Sequence, residues 1–200
     1  MGRPMSWRRD NRNLGTAENG AGDGEYHSAL FQKFVRGIER LEPRVELLDL
    51  GATTPDNLLY WLRRGHRVAA VDVLGKKVSR VAELGIGDRR FGGILCWNTL
   101  CALSREAAAL RVAELRELLV PGGMLFAIFD GDGRTEPTPV RYRIVAEDRL
   151  RFEPLDRQLR LRAIATREIE ALMEGLKPMR LTVMRHGSRE ALGQAPSQDP

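Results

Sequence analysis

The chain has 200 residues, with 32 Lys and Arg against 27 Asp and Glu, for a formal charge of +5 at pH 7. That length suits one domain with a real core, and the small basic excess permits an anionic partner without demanding one. Two cysteines, Cys96 and Cys101, exclude a disulfide framework and fit a reducing cytoplasm. His27, His66 and His186 show no ligand spacing, so no metal is expected, and no apolar run is long enough to span a membrane.

Residues 1–24 are polar and rich in Gly, Asn and Arg, so a flexible N-terminal arm is expected there. The opening MGRPMSWRRDNRN has positive charges with no apolar stretch behind them, which argues against a secretory signal. Trp7 beside Arg8 and Arg9 is either a docking aromatic or a stray ring in a tail. Leu30, Phe34, Ile38 and Leu41 recur at helical spacing and predict an amphipathic helix over 26–41, ended by Pro43.

The stretch 45–73 organises the chain. Val45, Leu47, Leu48 and Leu50 form an apolar run carrying Asp49 and stopped by Gly51. Leu58, Leu59, Trp61 and Leu62 then cluster at helical spacing, Gly65 closes that helix, and 68–73 is a second apolar run ending in Asp72 and Val73. Two buried strands joined by a crossover helix make a right-handed βαβ unit. Its chemistry is expected where the first strand turns into the helix and where the second strand ends.

Beyond it, a short helix is predicted over 76–84, leaving little room for a further strand before the buried strand 91–97. Ser104 is a good N-cap for a helix over 105–119, with Glu106 in its first turn. Val120-Pro121-Gly122-Gly123 reads as a sharp stop before a buried strand over 124–129. Residues 130–139 are a turn-rich loop, and 140–154 reads either as two short strands or as an irregular crossing segment. Thr166 can cap a helix over 167–176, 179–184 reads as the last strand, and 193–200 as a tail. Alternating strands and helices predict an α/β sheet covered on both faces, with the domain proper over 25–192.

In this order the chain resembles the class I S-adenosylmethionine-dependent methyltransferases over roughly residues 26–192. LLDLG, from Asp49 to Gly51, is similar to the start of that family's Asp-x-Gly-x-Gly-x-Gly motif. GHRVAAVDV resembles its second strand, and FGGILCWNTLCAL its fourth. LRELLVPGGMLFAIF resembles the helix, Pro-Gly-Gly turn and fifth strand that follow. The resemblance implies a doubly wound, mostly parallel Rossmann-like sheet with an antiparallel last strand and a reduced third strand. It implies S-adenosylmethionine as cofactor, held by Asp49, Gly51, Ala52, Thr53, Asp72, Val73, Trp97 and Asn98, with Asp72 on the ribose hydroxyls.

The physical logic runs alongside. A backbone that turns close to a ligand favours a residue without Cβ, the next helix N-terminus favours an anion, and an acid about twenty residues on can accept ribose hydroxyls. A dinucleotide site would want Gly-x-Gly-x-x-Gly, of which GATTPD has only the first glycine. The chain also departs from the family: Thr53 and Pro55 stand where its second and third glycines are, and Asn98 leads into Thr-Leu-Cys rather than Pro-Pro. The resemblance makes Asp88 the candidate for contacting the cofactor's adenine; Cys101 reads as a buried thiol, and no residue identifies itself as a general base.

The expected function is therefore methyl transfer to a small-molecule acceptor in the cytoplasm. One rival is a non-catalytic methyltransferase-like domain working as a binding or regulatory module. A third reading, modification of RNA, rests on the basic charge and the arginines of 134–167 alone.

Overall fold

The computed structural model describes residues 24–41, 45–74, 76, 78, 80–131 and 136–197. Apart from Gly24, the expected arm lies outside them, and so does Trp7. In chain order the elements are β1 (Glu25–His27), α1 (Ala29–Leu41), β2 (Glu46–Leu50), α2 (Pro55–Arg63), β3 (Arg67–Val71) and β4 (Phe91–Trp97). There follow α3 (Arg105–Leu118), β5 (Leu119–Phe129), β6 (Val140–Ala146), β7 (Arg149–Pro154), α4 (Thr166–Leu172), β8 (Arg180–Val183) and β9 (Arg189–Gln194).

The main sheet has six strands in the order β3-β2-β4-β5-β9-β8. The first four are parallel, and β9 runs antiparallel to both β5 and β8. Period-two alternation covers both faces, as buried parallel strands require. Leu48, Ile94, Cys96, Leu125 and Ala127 point to the face carrying α3 and α4. Leu47, Leu95, Trp97, Phe126 and Ile128 point to the face carrying α1 and Trp61 of α2. Among the described residues no strand lies between Val71 and Phe91, so β3 is an edge.

Several expectations need correction. The strand over 179–184, expected to be the antiparallel one, is β8 and runs parallel to β5; the antiparallel strand is β9. Because β9 reaches Gln194, the expected tail from 193 begins inside the sheet. β9 escaped the apolar-run criterion because it opens on Arg189 and Glu190, two charges that are nonetheless buried. The helix over 76–84 is only a 3-10 turn, Val81–Leu84, and β5 runs through the Pro-Gly-Gly segment instead of starting after it. Thr166 is the first residue of α4 rather than its cap, and that helix ends at Leu172.

The segment 140–154 forms a hairpin, β6 and β7, which β1 extends into a separate three-stranded antiparallel sheet. Its inner residues Tyr142, Ile144 and Leu150 pack on Trp97 and Phe126 over the α1 face. That burial is why a short strand precedes α1, where sequence periodicity predicted only helix.

Glycine sets how closely α1 approaches. A Cβ on Gly93 of β4 would lie 2.7 Å from Ile38 Cδ1 and 2.8 Å from both Leu47 Cδ2 and Phe34 Cζ. Gly93→Ala is expected to destabilise the fold by about 1–3 kcal/mol, the usual cost of overpacking, read from urea denaturation midpoints.

Candidate functional site

β2 and β3 end side by side, with Leu50 paired to Val71, so Gly51 and Asp72 follow at adjacent strand ends. The Gly51 amide donates to the Val71 carbonyl at 3.2 Å, and its φ of +151° together with a virtual Cβ only 2.8 Å from Trp97 Cβ suits a residue lacking one. Beyond it, Thr54 caps α2 by accepting from the Asn57 amide at 3.2 Å, and Pro55 opens the helix. A capped first turn with a proline has fewer free amides for an anion than a glycine turn would have. Asn57 is itself buried and holds β6, donating from Nδ2 to the Tyr142 carbonyl at 3.1 Å and accepting the Ile144 amide at 2.8 Å.

Asp49 is fully buried. Its Oδ1 accepts from Trp97 Nε1 at 2.7 Å and from Thr53 Oγ1 at 3.4 Å, while Oδ2 has no partner among the described residues. Burial pushes its carboxyl up to about 7, against the two hydrogen bonds that favour the charged form. An orphaned acceptor of this kind fits a cationic donor such as an ammonium group.

Asp72 is partly exposed and already engaged. Its Oδ1 accepts the Leu74 amide at 3.2 Å, and its Oδ2 pairs with Arg157 Nη2 at 2.7 Å. Arg157 also donates from Nη1 to the Leu74 carbonyl at 3.2 Å, pinning the segment after β7 across the strand ends. Farther along that segment, the Arg162 amide and Nε donate to the carbonyls of Cys101 and Leu103 at 2.7 and 3.1 Å. Between these anchors lies a cavity of about 180 Å³ bordered by Val73, Thr99 and Gln158. It is smaller than the roughly 300–1,000 Å³ of ordinary small-molecule sites, and Gln158, Leu159 and Arg160 of the segment after β7 form one of its walls.

Trp97 and Asn98 are buried in structural roles. The Trp97 indole stacks on Tyr142 with centroids 5.9 Å apart and planes 18° from parallel. Asn98, at φ 58°, accepts the Asp130 amide at 3.1 Å and donates from Nδ2 to the Asp130 carboxylate. Asp130 also accepts from Tyr142 Oη and from Ser188 Oγ, the latter at 3.0 Å. Beside this clasp, Glu190 accepts from Tyr26 Oη at 3.0 Å and Ser28 Oγ at 2.7 Å. Burial drives Asp130 upward and Glu190 to about 7.

Thus Asp49, Gly51, Thr53, Trp97 and Asn98 converge on one strand-end region, with Ala52 buried in the turn, while Asp72 and Val73 flank the cavity. Asn57, Asp130 and Tyr142 were not singled out in the sequence, and Arg157 only as one of the arginines of 134–167. Asp130 carried a signal of its own, as an acid directly after a buried strand. Asp88 does not border the cavity, and burial raises the Cys101 thiol to about 12, far from a reactive thiolate. Among the described residues no cluster could hold a metal ion, and no helix is long and apolar enough to cross a membrane.

No family model matches the chain, and no curated protein matches it. Solved structures do. A methyltransferase from Methanosarcina mazei, described as S-adenosylmethionine-dependent, superposes with a TM-score of 0.56 at 14% identity, covering 80% of this chain and 96% of that one. The Streptomyces caelestis methyltransferase CcbJ gives a TM-score of 0.54 at 17% identity, over 84% and 90% of the two chains. The Burkholderia thailandensis 1,6-didemethyltoxoflavin-N1-methyltransferase, solved with its acceptor and S-adenosylhomocysteine, gives 0.53 at 20% identity, over 85% and 80%. The chain therefore has the class I S-adenosylmethionine-dependent methyltransferase fold, in a divergent form.

The buried acids set a pH dependence. A carboxyl held near 7 when folded keeps a proton that the unfolded chain has lost, so its stabilising effect is complete below about pH 4 and fades as pH rises through 7. His66 and His186, whose pKa values burial lowers, act in the opposite sense near pH 6. Comparison with a variant isolates the acid: Glu190→Gln is expected to lose less stability than the wild type between pH 5 and 8. The difference has an upper limit on the order of 3 kcal/mol, read from urea unfolding at each pH.

Proposed function

We propose that this chain is an S-adenosylmethionine-dependent methyltransferase for a small-molecule acceptor, in a state where the segment 155–162 covers its cofactor cleft. One observation carries the reading: adjacent parallel strands end in Asp49, with an orphaned buried oxygen, and in Asp72, on either side of the Gly51 turn. On this reading Asp49 accepts the cofactor's ammonium group, Gly51, Ala52 and Thr53 let the backbone approach it, and Val73 lies against its base. Asp72 takes the ribose hydroxyls once Arg157 has left. When bound, the cofactor supplies a sulfonium methyl group, whose transfer needs chiefly in-line positioning of the acceptor. Trp97 and Asn98, committed to the clasp, support the cleft from behind, and no residue of the cleft is assigned as a base.

A second reading, a binding module without catalysis, is favoured by the Asp72–Arg157 pair and by Pro55 in the turn. Calorimetric titration with S-adenosylhomocysteine separates the two. The methyltransferase reading expects binding that Asp72→Ala abolishes and Arg157→Ala tightens several-fold, because the competing guanidinium is gone. If neither the wild type nor folded Arg157→Ala binds, the binding-module reading replaces it.

A further inference from the structure

The cavity is lined by a buried cation on which Glu114 and Glu83 act only through space, without a contact ion pair. Arg111, on α3, is only 1% exposed, yet it makes no ion pair among the described residues. Its Nη2 donates to the Val78 carbonyl at 2.8 Å, and its Nε is buried without a partner. The carboxylate one turn along the helix, Glu114, is committed elsewhere, accepting from Arg80 and from the Val81 amide at 2.8 Å. Isolated charges are not normally buried; they are paired or they bind something charged.

The cavity around Arg111 has the complementary chemistry. Lys76 and Thr99 share its wall, with the Thr99 hydroxyl buried beside the Cys96 thiol, and among the described residues no carboxylate lines it. Arg160 stands at the rim, held by Glu136 through hydrogen bonds of 2.8 and 2.9 Å. Two cations without ion pairs among the described residues, Arg111 and Lys76, match the roughly −1.5 to −2 charge of a phosphate monoester at neutral pH, and guanidinium and ammonium supply donors to its oxygens. The volume of about 180 Å³ admits a phosphate group, with the rest of its carrier projecting past Gln158.

We propose that the cavity lined by Arg111, Lys76 and Thr99 is a phosphate-binding site for a small phosphorylated ligand. It goes beyond the methyltransferase reading and does not rest on it: S-adenosylmethionine bears no phosphate, and because Val73 borders both, a phosphorylated ligand here would compete with that cofactor.

The test is thermal unfolding of the full chain in rising inorganic phosphate against potassium chloride at matched ionic strength, repeated with AMP and with adenosine. A ligand that binds only the folded state raises Tm in a saturable way. Phosphate is expected to do so. Lys76→Ala, at an exposed position, should weaken the apparent affinity several-fold with the starting Tm unchanged. Arg111→Met should abolish the shift and, having removed a buried unpaired charge, unfold no earlier than the wild type. AMP binding more tightly than both inorganic phosphate and adenosine would point to a nucleotide, and AMP binding equal to phosphate to free phosphate. The proposal is overturned if phosphate stabilises no more than chloride, or if Lys76→Ala responds as the wild type does. The latter reading holds even if Arg111→Met fails to fold. Titration with S-adenosylhomocysteine reports on the methyltransferase reading separately, so either can fail alone.

Discussion

One buried carboxylate, Asp130, holds together elements that are far apart in the chain. It sits where β5 ends and accepts from Asn98 beyond β4, Tyr142 on β6 and Ser188 just before β9. A polar group taken out of water must be fully hydrogen-bonded, and here the partners can meet only if the small sheet lies over the ends of the large one. Tyr142 then stacks on Trp97, whose indole N–H reaches Asp49. The clasp is thus continuous with the turn at Gly51, and the left-handed backbone of Asn98 is retained because its side chain completes the clasp. Its neighbour Glu190 uses Tyr26 and Ser28 in the same way to tie down the start of the described chain.

The turn after β2 shows a second constraint. Where the related fold family has glycines, Thr53 donates to Asp49 and Pro55 begins α2, with Thr54 capping it. These residues stabilise the turn through its own hydrogen bonds and leave it with fewer free donors. Asp72 shows the same tendency toward internal pairing, since Arg157 provides the cation. The pair is exposed enough that water screens it, so it is a weak latch. Arg111 is the contrasting case: it is buried, has no such partner, and faces a cavity.

The βαβ unit, the parallel order of its neighbours and, among the described residues, the absence of a strand between Val71 and Phe91 were legible because they rest on local pattern. Apolar runs ended by Gly51 and Gly65, and a Pro-Gly-Gly segment beside a buried run, carry their meaning within a few residues. Asp49, Gly51 and Asp72 were legible for the same reason, as strand-end residues at a set spacing. β9 was not, because Arg189 and Glu190 break its apolar pattern, and Glu190 becomes tolerable only through Tyr26 and Ser28 from the start of the described chain. β1 was absorbed into the helix prediction, since three residues make a strand only when Arg151, Leu150 and Arg149 of β7 lie alongside.

The sequence by itself determined the α/β class, the doubly wound core and the strand ends at Gly51 and Asp72, since periodicity and turn residues encode these locally. Only the tertiary structure decided that Asp72 is paired with Arg157, that Trp97 stacks on Tyr142 and Asn98 clasps Asp130, and that Arg111 is buried beside a cavity. Each of these depends on burial and on charges brought together from distant segments, and no spacing along the chain records either.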